Sequence, residues 1–325
     1  MARVALLSNP RSTGNRSLLP RVRSYCARQK DIFHYEVEHV SQIGAAMRTI
    51  ARVQPKLLVI NGGDGTVQAA LTEMFNGGHF GESPPPVAVL PNGKTNLIAY
   101  DLGAAGDPIA ALERVIEIAR SDLDPHIVRR ELISLSDGSP SGKKVVGMFL
   151  GGAGLADTML FCRHNIYPLG LPNGFAHLLT FAAALVAIVI GITARFLPPR
   201  PALVRVSLPA SESFRGRFAV LMVTTLDRIM LNDRFLPSRG ARRGALSMLL
   251  VEQRRGSVLR AILAAIRGRL GRLVDPGVHV GQTEEIRIEG EESKVILDGE
   301  LFQTRRGRPI VLRSTAPMSF LRLAA

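Results

Sequence analysis

Three glycines enclose one carboxylate in Asn61-Gly62-Gly63-Asp64-Gly65-Thr66. The stretch follows an apolar run at 57–60 and precedes Val67, Ala70, Leu71, Met74 and Phe75, which share one helical face. Binding a phosphate is one chemistry it can do. Glycines permit φ > 0 and let backbone N–H groups approach an anion closely. The start of a following helix adds free donors and a favourable dipole. Asp64 repels a bare phosphate but suits a Mg²⁺ carried on one. Thr66 can cap the helix or touch a phosphate oxygen. The competing reading is a Gly-rich turn in which Asp64 is only a cap. Three glycines exceed what a plain turn needs, which favours the phosphate.

Two further loops are of the same kind. In VAVLPNGKTN (87–96), Gly93-Lys94-Thr95 suggests a P-loop, but Ala88 stands where that motif requires glycine. What remains is a strand, a Pro turn and a helix start. Lys94 can reach a phosphate, with Thr95 and Asn96 as donors, or it is a solvated lysine on a capped turn. Asn9-Pro10-Arg11-Ser12-Thr13-Gly14-Asn15 is the third polar loop, after the first apolar strand. Near the end of the sequence stands Leu297-Asp298-Gly299-Glu300. Asp-Gly after a strand is a common hairpin turn. If that turn faces the cleft, Glu300 can take a proton from a hydroxyl nucleophile.

These loops need a frame. Strands at 3–8, 33–40, 57–60 and 87–90 alternate with helices at 18–29, 43–53, 66–75 and 108–119. That rhythm predicts a mostly parallel sheet covered on both faces, with ligands at the carboxyl ends of the strands. After Asp124 the rhythm changes. Strands are expected at 127–135, 143–150, 203–208, 218–224, 246–251, 285–288, 295–297 and 310–312, interrupted by two helical segments. A second, β-rich domain follows from this, and two domains suit 325 residues.

Composition narrows the function class. With 46% hydrophobic and 21% charged residues the chain is globular. Cys26 and Cys162 form no disulfide framework or zinc cluster and suit a reducing compartment. MARVALLSNP reads as a first strand, not a signal peptide. The net charge of +14 favours polyanions. Nucleic acid is disfavoured, because no nucleic-acid module is present and aromatics are 5%. An anionic membrane surface is the better partner, with Arg239, Arg242, Arg243, Arg254, Arg255, Arg260, Arg267, Arg269 and Arg272 in the second half; a solvated basic face is the plainer alternative. The segment 178–194 carries no charge and sits at the lower length limit for a span. A buried or membrane-facing helix is favoured, because a span would split the β-rich domain.

In this order the motifs resemble the diacylglycerol kinase-like lipid kinases, which include sphingosine kinases and small bacterial diacylglycerol kinases. Asn9-Pro10 with Ser12 and Gly14 is similar to the family's NPxSG loop, with the glycine one place late. Gly62-Gly63-Asp64-Gly65-Thr66 matches its GGDGT signature, Pro91-Asn92-Gly93-Lys94-Thr95-Asn96 resembles its PxGTxND loop, and Asp298-Gly299-Glu300 matches its DGE. Gly152-Ala153-Gly154-Leu155-Ala156-Asp157 is similar to the Gly-rich opening of its second domain. GGDGT alone is shared with NAD kinases and phosphofructokinases; the combination is far more specific.

The resemblance implies α/β plus β architecture. Residues 1–127 form a Rossmann-like nucleotide-binding domain, and 128–325 form a β-sandwich lipid-substrate domain whose last residues pack back on the first. It implies an ATP-dependent lipid kinase, cytoplasmic and peripheral to the inner face of the membrane. ATP and Mg²⁺ are the expected cofactors and a lipid alcohol, diacylglycerol or sphingoid-type, the expected substrate. Asn9, Ser12, Gly62, Gly63, Asp64, Gly65, Thr66, Lys94, Thr95 and Asn96 would bind the nucleotide. Asp64 and Asp157 would hold the metal, and Glu300 would act as general base beside Asp64. NAD kinase and a catalytically impaired lipid-binding pseudokinase are the rival readings. Three departures bear on them. Lys94 stands in place of the family's Thr, and Leu97 in place of its following Asp. Arg242-Arg243-Gly244 replaces the DDG of a structural Mg²⁺ site, which predicts that this second site is absent.

Overall fold

In the computed structural model, residues 3–139, 142–166, 180, 183, 198–209, 212–227, 245–270, 273, 275–290, 293–304 and 307–323 are described. The charge-free segment 178–194 falls almost wholly outside them, and Arg242-Arg243-Gly244 wholly so. Among the described residues no helix is long and apolar enough to cross a membrane.

The first sheet is built from β1 (Val4–Ser8), β2 (Ile32–Glu36), β3 (Leu57–Asn61), β4 (Val87–Val89), β5 (Ile127–Arg130) and β18 (Met318–Leu321). Its order is β2-β1-β3-β4-β18-β5. Neighbours run parallel except β5, which is antiparallel to β18. β1, β3 and β4 are buried along their whole length. Continuous apolar runs of this kind suit strands covered on both faces. Alternate residues serve opposite faces. Ala5, Leu7, Leu58 and Ile60 pack with α2 (Ile43–Val53) and α3 (Asp64–Gly77). Val4, Leu6, Leu57 and Val59 pack with α1 (Asn15–Ala27) and α5 (Pro108–Arg120). Asp107 caps α5 and Pro108 opens it, a favourable helix start. A short α4 (Leu97–Asp101) follows the polar loop 91–96.

Two further six-stranded sheets are built from antiparallel pairs. One has the order β10-β9-β14-β17-β6-β7, with β6 (Ile133–Ser136), β7 (Val145–Gly147), β9 (Val204–Ser207), β10 (Ser213–Gly216), β14 (Glu285–Gly290) and β17 (Ile310–Ser314). The other has the order β13-β12-β11-β8-β15-β16, with β8 (Phe149–Gly152), β11 (Phe218–Thr224), β12 (Leu246–Glu252), β13 (Val278–Thr283), β15 (Lys294–Leu297) and β16 (Glu300–Gln303). Ile133, Val206, Ile286 and Leu312 of one meet Leu150, Leu221, Met248 and Val295 of the other in one core. Helices α6 (Gly154–Phe161) and α7 (Arg255–Ile266) accompany the second of these sheets.

The segment 127–135 reads as one strand in the sequence but is two. β5 joins the first sheet and β6 another, with Leu132 fully buried between them. Strand 143–150 likewise divides at Met148 into β7 and β8. Strands β10, β13, β16 and β18 were not expected. β18 inserts between β4 and β5, where Phe320 and Leu321 are buried. Phe320→Ala is therefore expected to cost about 3–5 kcal/mol, read as a fall in the urea midpoint with unchanged m-value.

Candidate active site

The carboxyl ends of β1, β3 and β4 deliver the three polar loops to one edge of the first sheet. A buried amide network ties them together. Asn92 Nδ2 donates to Asn61 Oδ1 at 2.7 Å and to Asn15 Oδ1. Asn15 Nδ2 donates to the carbonyls of Asn9 (2.7 Å) and Asn61 (2.9 Å). Asn61 Nδ2 donates to Ser8 Oγ at 3.0 Å. Asn9 Nδ2 donates to Thr66 Oγ1 at 2.8 Å, while Asn9 Oδ1 accepts from the N–H of Arg11. At Gly14 any Cβ would collide with the Asn92 side chain, so this position has room for glycine alone unless the network shifts. Asn92→Leu leaves two buried carbonyl acceptors unpaired, at roughly 1–3 kcal/mol each. A loss of about 2–6 kcal/mol in denaturant unfolding is expected, together with weaker nucleotide binding.

Gly63 and Gly93 bring two of the loops into backbone contact: a Cβ on Gly93 would lie 2.7 Å from Gly63 Cα. Gly62 is needed for a different reason, since its Cβ would lie 2.7 Å from Thr66 Cβ. Gly63 sits at the N-cap of α3, and the first N–H groups of a helix have no intrahelical acceptor. They open onto a cleft of about 530 Å³. Asn9, Ser12, Gly63, Asp64, Gly65, Thr66, Lys94, Thr95 and Glu300 line it. Gly62 and Asn96 do not. Asn96 instead holds its loop: it is left-handed (φ 56), its Oδ1 accepts from the Gly93 N–H at 2.6 Å, and its own N–H bonds the Asp64 carboxylate. Ser12 Oγ donates to the Asn9 carbonyl. The side chains of Asn9, Ser12 and Thr66 are thus engaged within the loops that shape the cleft, and Lys94 lines it.

The turn 297–300 satisfies both readings at once. Leu297 pairs with Glu300 across a two-residue loop, with Asp298 at φ 46 and Gly299 at φ 89, the signature of a type I′ hairpin. The same turn carries Glu300 to the cleft. A Cβ on Gly65 would lie 2.6 Å from Glu300 Oε1. Gln68 Nε2 donates to the Leu297 carbonyl at 3.1 Å and locks α3 to this hairpin. Thr72 Oγ1 accepts from Val146 N–H at 3.1 Å and does the same for β7.

Asp298 is a site residue that the sequence did not single out. Its carboxylate accepts from Met148 and Phe149 N–H groups at 2.9–3.2 Å. Burial pushes its carboxyl up to about 7; those two N–H groups oppose the rise, and the charge of Asp64 adds to it. Burial also pushes Asp64 up to about 6, partly offset by the Asn96 N–H. Arg11, Thr13 and Arg163 add polar groups to the lining, and Met159, Leu160 and Leu301 add an apolar wall. Arg11 and Thr13 were visible only as members of a loop, and α6 carries no motif for its contribution. Asp157, paired with Asp64 in the sequence reading, is not in the lining. Burial raises its carboxyl and Lys294 lowers it. Leu97 opens α4 and packs against the core of the first sheet.

Among the described residues no group of three or more His, Cys, Asp or Glu side chains could hold a metal alone. The cleft still suits Mg²⁺ carried on a nucleotide. Asp64 is a desolvated carboxylate at the mouth of a helix N-terminus, and Mg²⁺ typically keeps one or two carboxylates plus phosphate oxygens and water.

A parallel-sheet edge with three polar loops thus faces a carboxylate on a hairpin from another sheet across one cleft. Residues 3–126 match the family model of the diacylglycerol kinase catalytic domain, and the resemblance read from the motifs is borne out there. Over 98% of its length the chain also superposes on solved structures from Bacillus anthracis strain Sterne. One, a provisionally assigned diacylglycerol kinase, has TM-score 0.67 and 16% identity, with 96% of that chain covered. Another, described as a diacylglycerol kinase, has TM-score 0.61 and 15% identity, again with 96% covered. At these identities they show a shared mixed α/β fold. No curated protein sequence matches the chain.

Proposed function

We propose that the protein is an ATP-dependent lipid kinase that moves the γ-phosphoryl group of ATP to a lipid hydroxyl at a membrane surface. The observation that carries this reading is the approach of Glu300 to Gly65 at the N-terminus of α3. It sets a proton acceptor directly opposite a phosphate-binding loop. Mg²⁺-ATP supplies the phosphoryl group and the charge neutralisation that such transfers require. The N–H groups at the start of α3 and Lys94 hold the phosphates. Asp64 would hold the metal. Glu300 takes the proton of the attacking hydroxyl as the new O–P bond forms, and ADP leaves. Asp298 holds the hairpin that aims Glu300. Asp157 takes no part at the metal, because it stands outside the cleft lining.

In this reading residues 1–127, completed by β18, form a Rossmann-like nucleotide domain. The remainder forms a β-sandwich that presents the acceptor. The match of residues 3–126 to a diacylglycerol kinase catalytic domain supports the reaction class. Met159, Leu160 and Leu301 give an apolar side to the cleft on which a lipid alcohol can lie.

The test is transfer of label from ATP in the presence of Mg²⁺ to a panel of diacylglycerol, sphingoid base and ceramide in mixed micelles, with NAD in a parallel reaction. Label in a lipid product supports the proposal. Phosphorylated NAD as the product sinks it. ATP binding without transfer to any acceptor points to a regulatory protein instead.

A further inference from the structure

Helix α7 has two apolar faces. Val258, Ala261 and Ala264 are buried against Met222, Leu249 and Val251 of the neighbouring sheet. On the opposite side Leu259 is 50% exposed, Leu263 40% and Ile266 74%. These three stand at i, i+4 and i+7, so they form one stripe. No acidic residue occurs in the helix, RGSVLRAILAAI. Arg255, Arg260 and Arg267 border the stripe, and Arg254 and Arg269 flank the helix ends; all five are exposed. Among the described residues Glu252 pairs with Arg254 at 2.7 Å and Asp275 with Arg260 at 2.5 Å, two acids beside these five arginines. Nothing in the nucleotide reaction requires such a surface.

We infer that α7 is a membrane-docking helix that lies in the interface of an anionic bilayer, with Leu259, Leu263 and Ile266 inserted and its arginines at the headgroups. Apolar side chains at the centre of an Arg-rimmed helical face are what an interfacial helix requires. A second copy of the chain fits less well, because a two-fold contact would set these arginine rims against each other. The inference rests on the membrane-surface part of the lipid kinase reading and deepens it by naming the element. α6, whose Leu155 packs in the same cluster as α7, carries Met159 and Leu160 into the cleft.

The chain contains no tryptophan, so Ile266→Trp places a single reporter on the stripe. Full-length protein is mixed with vesicles of phosphatidylcholine alone or with phosphatidylglycerol, without ATP or acceptor. The reporter emission is expected to shift to the blue with the anionic vesicles only. Co-sedimentation should fall on the order of a hundredfold for the Leu259→Ser, Leu263→Ser, Ile266→Ser triple variant, and roughly tenfold for Arg255→Gln with Arg267→Gln. All these positions are exposed, and unchanged circular dichroism verifies the fold. Unaltered vesicle binding by the triple variant overturns the inference. So does an unshifted reporter at saturating vesicles, or a dimer in light scattering that the triple variant dissolves. Because neither nucleotide nor acceptor is present, vesicle binding by an inactive chain leaves docking intact, and phosphorylation of micellar lipid without vesicle binding leaves only the kinase reading intact.

Discussion

Asp64→Asn is expected to lower Mg²⁺-dependent transfer by roughly 10²–10³-fold, the scale of losing one preorganised charge-stabilising group. The same substitution should make the metal-free protein more stable at neutral pH. The sign follows from burial. Desolvation raises the Asp64 carboxyl from 3.8 to about 6, so the folded state holds its proton more tightly than the unfolded chain. Below the unfolded value the carboxyl is neutral in both states and costs nothing. As pH rises through about 6 the buried charge destabilises the fold, by about 3 kcal/mol at most. Bound Mg²⁺ relieves that charge. Thermal unfolding should therefore show a larger stabilisation by Mg²⁺ with ATP at pH 8 than at pH 5. In Asp64→Asn the metal-dependent part should vanish while the metal-free protein gains stability at pH 8. Activity retained in Asp64→Asn would remove Asp64 from the metal.

Glu300→Gln is expected to lower kcat by about 10²–10⁴-fold, the contribution of a positioned general base, with little change in the KM for ATP. The residue is exposed at the start of β16, so the substitution should leave stability unaltered. Its pairing across the hairpin is made by backbone, which glutamine preserves. Gly65→Ala provides a geometric control. The added methyl would press on Glu300 Oε1 and displace it, so kcat should fall while Glu300 itself is retained. If Glu300→Gln turns over normally, the proton has another acceptor. If it raises KM for ATP without lowering kcat, the carboxylate serves binding.

The parts of this site that were legible in the sequence are local. A strand followed by Gly-rich polar residues and a helix reads correctly, because backbone freedom and helix starts depend on neighbouring residues. Asp298-Gly299 likewise encodes its own hairpin. The strands missed in the second half were mostly edges. β10, β13 and β16 end their sheets, and nearly all of their residues are exposed or half-buried. They lack the buried rhythm on which a strand is recognised. β18 is an interior strand, but its four residues are too few to show a period. The expected single strands at 127–135 and 143–150 failed for another reason: apolar continuity does not report that a chain leaves one sheet for another.

By itself the sequence determined the three loops, the alternation of strands and helices that carries them, and the carboxylates Asp64 and Glu300 as chemical groups. Only the tertiary structure decided which of these meet. Gln68 on the Leu297 carbonyl, Asn92 between Asn15 and Asn61, and Glu300 against Gly65 join residues far apart in the chain. So does the choice of Asp298 over Asp157 as the second buried carboxylate near Asp64. Such pairings follow from sheet order and from the burial of apolar faces, which are properties of the whole packed chain. Local propensity sets the shape of each loop, and packing sets the distance between them.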